Sequence, residues 1–353
     1  MEINYKQLIF AREYRNYSQT DLASKINGLS QSNLSKFEKG FGSLSDEMVN
    51  KIIRFLEFPE GFFTKEISNK VENPHYRKRT AITKSKRQDI EYSIKVIGFI
   101  IDQMTHSIEW PDFGLTPFDI EGGFSPEKAA GFIRKQMGIP VNEPVRMIYN
   151  LLESNGIIIV EIETTEYFDG ASFITDKGFP VIVINKAFSN DRKRFTLAHE
   201  LGHLIMHITG HFPIPDDRRL EDEANNFASE FLMPEDAIKP ALRGLRLAYL
   251  SELKRYWLTS MASIIRRAKD LGCISLDKYK YMNIEFSRRG LKRDEGINVF
   301  IDAPKLFTTG YKMHRNELEY TDEELAKAFN LPLDILQRFC SPSRTNSKLR
   351  VLI

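Results

Sequence analysis

The segment Arg194-Phe195-Thr196-Leu197-Ala198-His199-Glu200-Leu201-Gly202-His203 constrains this chain more than any other stretch. It sets two histidines four residues apart, with a glutamate directly after the first, inside an apolar run of helical period. Four residues is a little more than one helical turn, so both imidazoles leave one face and can share one zinc ion. Glu200 lies beside them, where it can take a proton from a zinc-bound water. Leu197, Ala198, Leu201, Leu204 and Ile205 supply a buried face, so the His-Glu-His edge need not fill the core. A helix with two ordinary histidines is the bland alternative, and the agreement of motif and context weighs against it.

Two ligands do not make a site. A catalytic zinc usually takes three protein ligands and keeps a fourth position for water. The stretch from Leu220 to Pro234 follows a loop containing Pro213 and Pro215. Its apolar positions Leu220, Ala224, Phe227, Ala228, Phe231 and Leu232 recur at helical spacing, and Pro234 marks the exit. This second helix offers Glu223, at the start of its apolar face, as the third ligand, with Glu221 and Glu230 as rivals, and Glu221 and Asp222 are read as a solvated acidic helix start. A complete set would bring the pKa of the bound water to about 7 and polarise a scissile carbonyl, with Glu200 carrying the proton to the leaving amine. A second oxyanion donor would come from His207, His211 or Tyr167, among which the spacing does not choose. His207 reads first as an ordinary histidine near the helix end and second as a partner of the site.

His-Glu-Leu-Gly-His, followed by Asp-Glu-Ala-Asn-Asn-Phe-Ala and Phe-Leu-Met-Pro, resembles the ImmA/IrrE metallopeptidases, a gluzincin-like family. The resemblance covers roughly Ser125 to Ile274, and the stretch Leu253 to Ala262 resembles the usual continuation of these proteins. It implies Zn2+ as cofactor, His199, His203 and Glu223 as its ligands, and Glu200 as general base, with Glu221 and Glu230 as rivals of Glu223. It also implies a protein substrate, namely a helix-turn-helix repressor or an antitoxin-like partner. The runs Gly156 to Ile162, Phe173 to Thr175 and Phe179 to Asn185 read as strands of a small sheet beside the zinc helices. An edge strand there could bind a substrate chain by backbone pairing.

The amino terminus carries a second signal. Residues 1 to about 64 read as five short helices, with Ser18, Ser30 and Ser45 as caps and Gly40 closing the third. The order Ser-Gln-x-x-Leu-Ala, then Ser-Gln-Ser-Asn-Leu-Ser-Lys-Phe-Glu-Lys-Gly, resembles the Cro/C1-type, or xenobiotic-response-element, DNA-binding family over roughly Tyr5 to Phe63. In such a module the second helix of the pair enters the major groove. Gln31, Ser32 and Asn33 would then meet base edges with Lys36 beside them, and Gln19 would make a phosphate or bridging contact. The partner implied is a double-stranded DNA operator, and a homodimer is a further expectation. A protein-holding helical module is the competing view, because the reading face is polar rather than strongly basic.

Lys65 to Gln88 is a basic connection with few acids. Asp89 to His106 reads as an apolar-faced helix, Ser125-Pro126-Glu127 as a helix start, and Thr321 to Pro332 as a capped helix and turn. The expected fold is α+β and mostly helical. Its expected parts are a helix-turn-helix domain at 1–66, a basic linker and connecting helix at 67–124, a peptidase domain at 125–240 and a helical region at 241–353. With a net charge of +2 over 353 residues, DNA affinity must come from local patches. Two distant cysteines, Cys273 and Cys340, point to a reducing cytosol and exclude a Cys-rich zinc site. No signal peptide is visible and the apolar run Ile94 to Met104 is too short to span a bilayer, so a cytoplasmic location without membrane partners is expected. The leading functional expectation is a DNA-binding regulator with a zinc endopeptidase that cuts a repressor or antitoxin-like protein. The alternative is an antitoxin-type or autoregulatory transcription factor whose zinc fold is a sensor or scaffold. A third is an interaction protein whose helix-turn-helix holds another protein.

Overall fold

Small polar residues at helix starts set the amino-terminal architecture, because a serine or asparagine oxygen can satisfy an otherwise unpaired amide. In the computed structural model of the chain, which describes residues 3–64, 75–76, 83–120, 123–209 and 219–341, each expected cap is made. Asn4 caps α1 (Tyr5–Tyr14), and Ser18 forms a reciprocal capping box with Asp21 on α2 (Gln19–Lys25). Ser30 caps α3 (Gln31–Glu38) and Ser45 caps α4 (Asp46–Leu56). The expected fifth helix is a 3-10 turn at Glu60–Thr64. Leu8, Leu22, Leu34, Ile52, Phe62 and Phe63 form the interior. A longer helix, α5 (Lys84–Met104), is capped by Thr83 and begins at Lys84 rather than at Asp89. Its Ile90, Ile94, Ile97, Ile101 and Met104 are buried, as their period requires.

The chain divides into two compact units. One comprises Met1–Lys70, Thr80–Glu109 and Phe307–Ile353, and the other Val71–Arg79 and Trp110–Leu306. Within the second unit, α6 (Pro126–Gln136) and α7 (Ile148–Glu153) precede a small sheet. Its strands are β2 (Ile158–Ile162), β3 (Phe168–Ile174) and β4 (Pro180–Asn185), with the two-residue β1 (His75–Tyr76) at one edge. The order is β1-β3-β4-β2. β2 runs parallel to β4 with Ile158 opposite Val181, and β3 runs antiparallel to β4 with Gly170 opposite Ile184. The turn at 176–178 joins β3 to β4, and β3 begins at Phe168, five residues before the apolar signal at Phe173.

Helix α8 (Asn190–His203) packs on β3 and β4 and continues into a π-helical turn at Leu204–Ile208. Helix α9 (Leu220–Leu232) lies against α8. Gly202 makes that approach close: a Cβ there would meet the Phe227 ring at 3.1 Å. Then follow α10 (Glu235–Leu242), α11 (Leu250–Trp257), α12 (Met261–Asp270) and α13 (Leu276–Arg288). Within the helical region expected from residue 241 on, Leu258 takes a left-handed φ of 57° between α11 and α12. Leu197, Leu201, Phe227, Phe231, Ile264 and Ile265 share one core.

The last helices, α14 (Leu306–Asn316), α15 (Asp322–Phe329) and α16 (Leu333–Cys340), return almost wholly to the first unit. Thr321 caps α15 through a capping box. There, Arg338 bonds the Tyr14 hydroxyl at 3.0 Å and Asp89 at 3.1 Å, and Arg15 pairs with Asp334. The α+β, mostly helical class is what the sequence implies. Among the described residues no helix is long and apolar enough to cross a membrane.

Candidate functional site

The His-Glu-His edge of α8 is not exposed. His199 and Glu200 are each 2% exposed and His203 9%, because α9 covers one side and β3 another. β3 passes so close that a Cβ on Gly170 would lie 2.7 Å from Thr196 Cγ2, 3.1 Å from the Val183 carbonyl and 3.3 Å from Glu200 Oε1. Two residues on, the Ser172 hydroxyl donates to Glu200 Oε2 at 2.7 Å. The glutamate is thus held from the sheet side.

The Nε2 atoms of His199 and His203 face each other at 3.1 Å. Glu221, in the first turn of α9, brings Oε2 to 3.4 Å from His199 Nε2 and Oε1 to 3.6 Å from His203 Nε2. Donors bound to one tetrahedral zinc at its usual bond lengths stand about 3.4 Å apart, so two imidazoles and a carboxylate at these spacings fit such an ion. The rings are anchored from behind. His199 Nδ1 meets Asn225 Oδ1 at 3.1 Å, and His203 Nδ1 meets His207 Nδ1 at 2.9 Å. Anchoring at Nδ1 leaves Nε2 as the metal-facing atom.

The other acids of α9 go elsewhere. Glu223 Oε2 meets His207 Nε2 at 2.8 Å. Glu230 accepts the Glu235 amide at 3.1 Å and pairs with Arg267. The structure therefore brings His199, His203 and Glu221 together, and sets Glu223 one histidine away. Of the oxyanion candidates, His207 is buried beside His203, Tyr167 bonds to Glu166, and His211 lies outside the described residues.

In the first unit, Gln31, Ser32, Asn33 and Lys36 are exposed along the start of α3, and Gln19 is half-buried. Two of these, Gln19 and Gln31, are tied to the interior by a polar chain. Arg12 donates to Glu38 at 2.6 Å, Gln19 donates to Glu38 at 2.7 Å, and Gln31 donates to Gln19 at 2.9 Å. The arrangement leaves the side chains of Ser32 and Asn33 outward, as a groove-reading helix requires.

Residues 8–63 match the helix-turn-helix family model, and residues 153–269 match that of the IrrE N-terminal-like domain, a peptidase family. The chain carries a match to each of these two families. No curated protein matches it. The fusion therefore combines a DNA-binding helix-turn-helix domain with an ImmA/IrrE-type metallopeptidase domain, and this combination supports a DNA-binding regulator. The peptidase match contains the histidine pair, Glu200 and the first turn of α9.

A cleft of about 740 Å³ in the second unit of the fusion reaches His199 and is lined by Asp169, Arg192, Thr196, Lys254 and Glu295. Lys254 sits buried between Asp191 at 2.8 Å and Glu295 at 2.7 Å. Burial opposes its charge, but the two carboxylates outweigh burial and raise its pKa. Burial likewise pushes the Asp191 carboxyl up, yet hydrogen bonds from Lys254 and Ser189 hold it below the usual carboxylate range. Arg194 is fully buried, and desolvation lowers its guanidinium pKa to about 10. It donates to the Val145 and Arg146 carbonyls, tying α8 to the start of α7.

Sequence reasoning missed Ser172, Asn225 and Lys254. Asn225 stands in the quoted Asp-Glu-Ala-Asn-Asn motif, four residues after Glu221 and so on its face, which was a usable signal. Nothing local marks Ser172 or Lys254. Both cysteines are free thiols.

Proposed function

We propose that this chain is a DNA-binding regulator whose second unit is a zinc endopeptidase that cuts a protein partner, a helix-turn-helix repressor or an antitoxin-like protein. The observation that carries the reading is the anchored histidine pair. Both Nδ1 atoms are engaged from behind, both Nε2 atoms converge, and a carboxylate completes a set with tetrahedral spacing. Zinc, when bound, polarises a carbonyl and lowers the pKa of a coordinated water to about 7. His199 and His203 hold it through Nε2. The third donor comes from the first turn of α9. The spacing favours Glu221, and Glu223 is the alternative that the family resemblance implies.

Glu200 accepts a proton from the attacking water at its carboxylate and returns it to the leaving amine. Ser172 fixes one of its oxygens, so the carboxylate does not have to be ordered during reaction. Gln31, Ser32, Asn33 and Lys36, backed by Gln19, read an operator in the major groove. We place the chain in the cytoplasm, with a second copy of itself on two-fold related half-sites.

Glu200→Gln is the deciding variant. It keeps the metal set and removes the proton acceptor, so zinc content measured by mass spectrometry stays near that of the parent while cleavage of the partner falls by about 10²–10⁴-fold. Normal cleavage by this variant would remove Glu200 as the proton acceptor, and a zinc-loaded parent that cuts no partner would leave the sensor or scaffold reading. The ligand choice has its own test. Glu221→Gln should lower zinc occupancy more than Glu223→Gln, and the reverse order would return the third position to Glu223.

A further inference from the structure

We infer, on the peptidase reading above, that the backbone of His75–Tyr76 is a built-in competitor. It fills the strand edge beside Glu200 along which a substrate chain would lie, and it must leave before that chain can dock.

The sheet order is β1-β3-β4-β2, so β3 would be an edge strand but for β1. β1 has only two residues and lies in 71–79, which belongs to the second unit although the residues on both sides of it belong to the first. It pairs antiparallel with β3, His75 opposite Gly170 and Tyr76 opposite Phe168, with a shift of register between the two. These positions adjoin the candidate site. A Cβ on Gly170 would come within 3.3 Å of Glu200 Oε1, and Asp169, between the two positions, lines the cleft that reaches His199. Two residues beyond Gly170, Ser172 holds Glu200 at 2.7 Å. A chain laid along this side of β3 is therefore carried past the residues that meet Glu200.

Backbone pairing at a sheet edge needs no particular side chains, so an extended polypeptide is its natural ligand. A short cover can also serve only to blunt an edge against unwanted association. The extent of the pairing favours a displaceable occupant. β1 takes up two of the seven positions of β3, and among the described residues no strand pairs with that side of Ser172–Ile174. A longer substrate strand gains backbone hydrogen bonds that β1 does not make. Covalent attachment keeps β1 at a high local concentration, while its small footprint lets a longer strand replace it. A competitor that fills the edge about nine-tenths of the time lowers the apparent affinity of a rival about tenfold.

The test uses the full chain carrying Glu200→Gln, so that a docked chain is not cut, and fluorescently labelled β-casein as an unfolded polypeptide probe. Adding His75→Pro with Tyr76→Pro removes the amides that β1 can donate to β3. Casein should then bind about tenfold more tightly, and hydrogen exchange should place its protection on Phe168–Ile174. A second variant replaces 71–79 with glycine and serine at equal length and should shift the affinity in the same direction. The urea midpoint of each variant checks that the second unit stays folded. Equal casein affinity with and without these changes overturns the inference and leaves β1 as an edge cover. Protection placed away from β3 overturns it as well. Zinc content is read separately on the same samples. Protein that takes up no zinc yet shows the tenfold gain supports the competitor and sinks the zinc reading alone.

Discussion

The candidate metal centre and the proposed reading helix are built in opposite ways. The centre gathers Ser172, His199, Glu200, Glu221 and Asn225 from β3, α8 and α9, and most of these side chains are shielded from water. The reading face consists of neighbours on one helix start, exposed, with Gln31 braced through Gln19 and Glu38 to the buried Arg12. Buried convergent groups depend on one another, because an unmatched charge in a dry interior is costly. Exposed groups act nearly independently. Damage to the first region should therefore be steep and cooperative, and damage to the second graded.

The steepest stability effect expected is at Lys254. Replacing it with methionine leaves the Asp191 and Glu295 carboxylates buried side by side, at a cost of about 3–5 kcal/mol, measurable as a lowered urea midpoint. A change within error would mean that water reaches this triad and that the second unit is less dry than its burial implies. The same triad sets an acid limit. The Asp191 pKa is depressed in the folded state, so its contribution is present above its unfolded value and is lost as pH falls through the folded one. Stability should drop below about pH 4, and the Lys254→Met variant should lose that component of the drop.

A smaller effect is expected at Gly170. Gly170→Ala forces β3 away from Thr196 and Val183, and should cost about 1–3 kcal/mol of stability. It should also loosen the Ser172 bond to Glu200, so activity should fall further than melting temperature alone predicts. If activity and stability fall in proportion, the sheet supports the helix without aiming the glutamate. The mildest change is Gln31→Ala, which should lose discrimination at one base pair, worth about 1–3 kcal/mol, in a mobility shift with the promoter upstream of its own gene. The fold should be untouched. Absence of any shift by the parent at low salt would remove the operator-reading role and with it the contrast between the regions.

How much of this could be read from the residues alone depended on how local each signal was. The caps at Ser18, Ser30 and Ser45 act within three residues, and all are made. The His199–His203 pair acts within one turn, and its rings do converge. The start of β3 was hidden because Asp169-Gly170 resembles a turn. In the structure Asp169 pairs with Arg192, and Gly170 is where strand and helix touch. Glu221 looked like a solvated first-turn acid, and its side chain is in fact half exposed, so only the position of α9 brings it to the histidines. His207 looked like an ordinary helix-end residue because a regular α-helix was assumed there. The π-helical turn cannot be read from period alone.

The polypeptide crosses between its two compact units after residues 70, 79, 109 and 306. Hydrolysis within 71–79 would break covalent continuity without freeing the helices of the proposed reading module. Asn16 would still accept from Ser85, Glu13 from Gln88 and Tyr92, and Arg15 would still grip Asp334. Severing that segment and dismantling the first unit are separate events. An amino-terminal fragment produced alone would have to fold without the sequence-distant helices that clasp its first one.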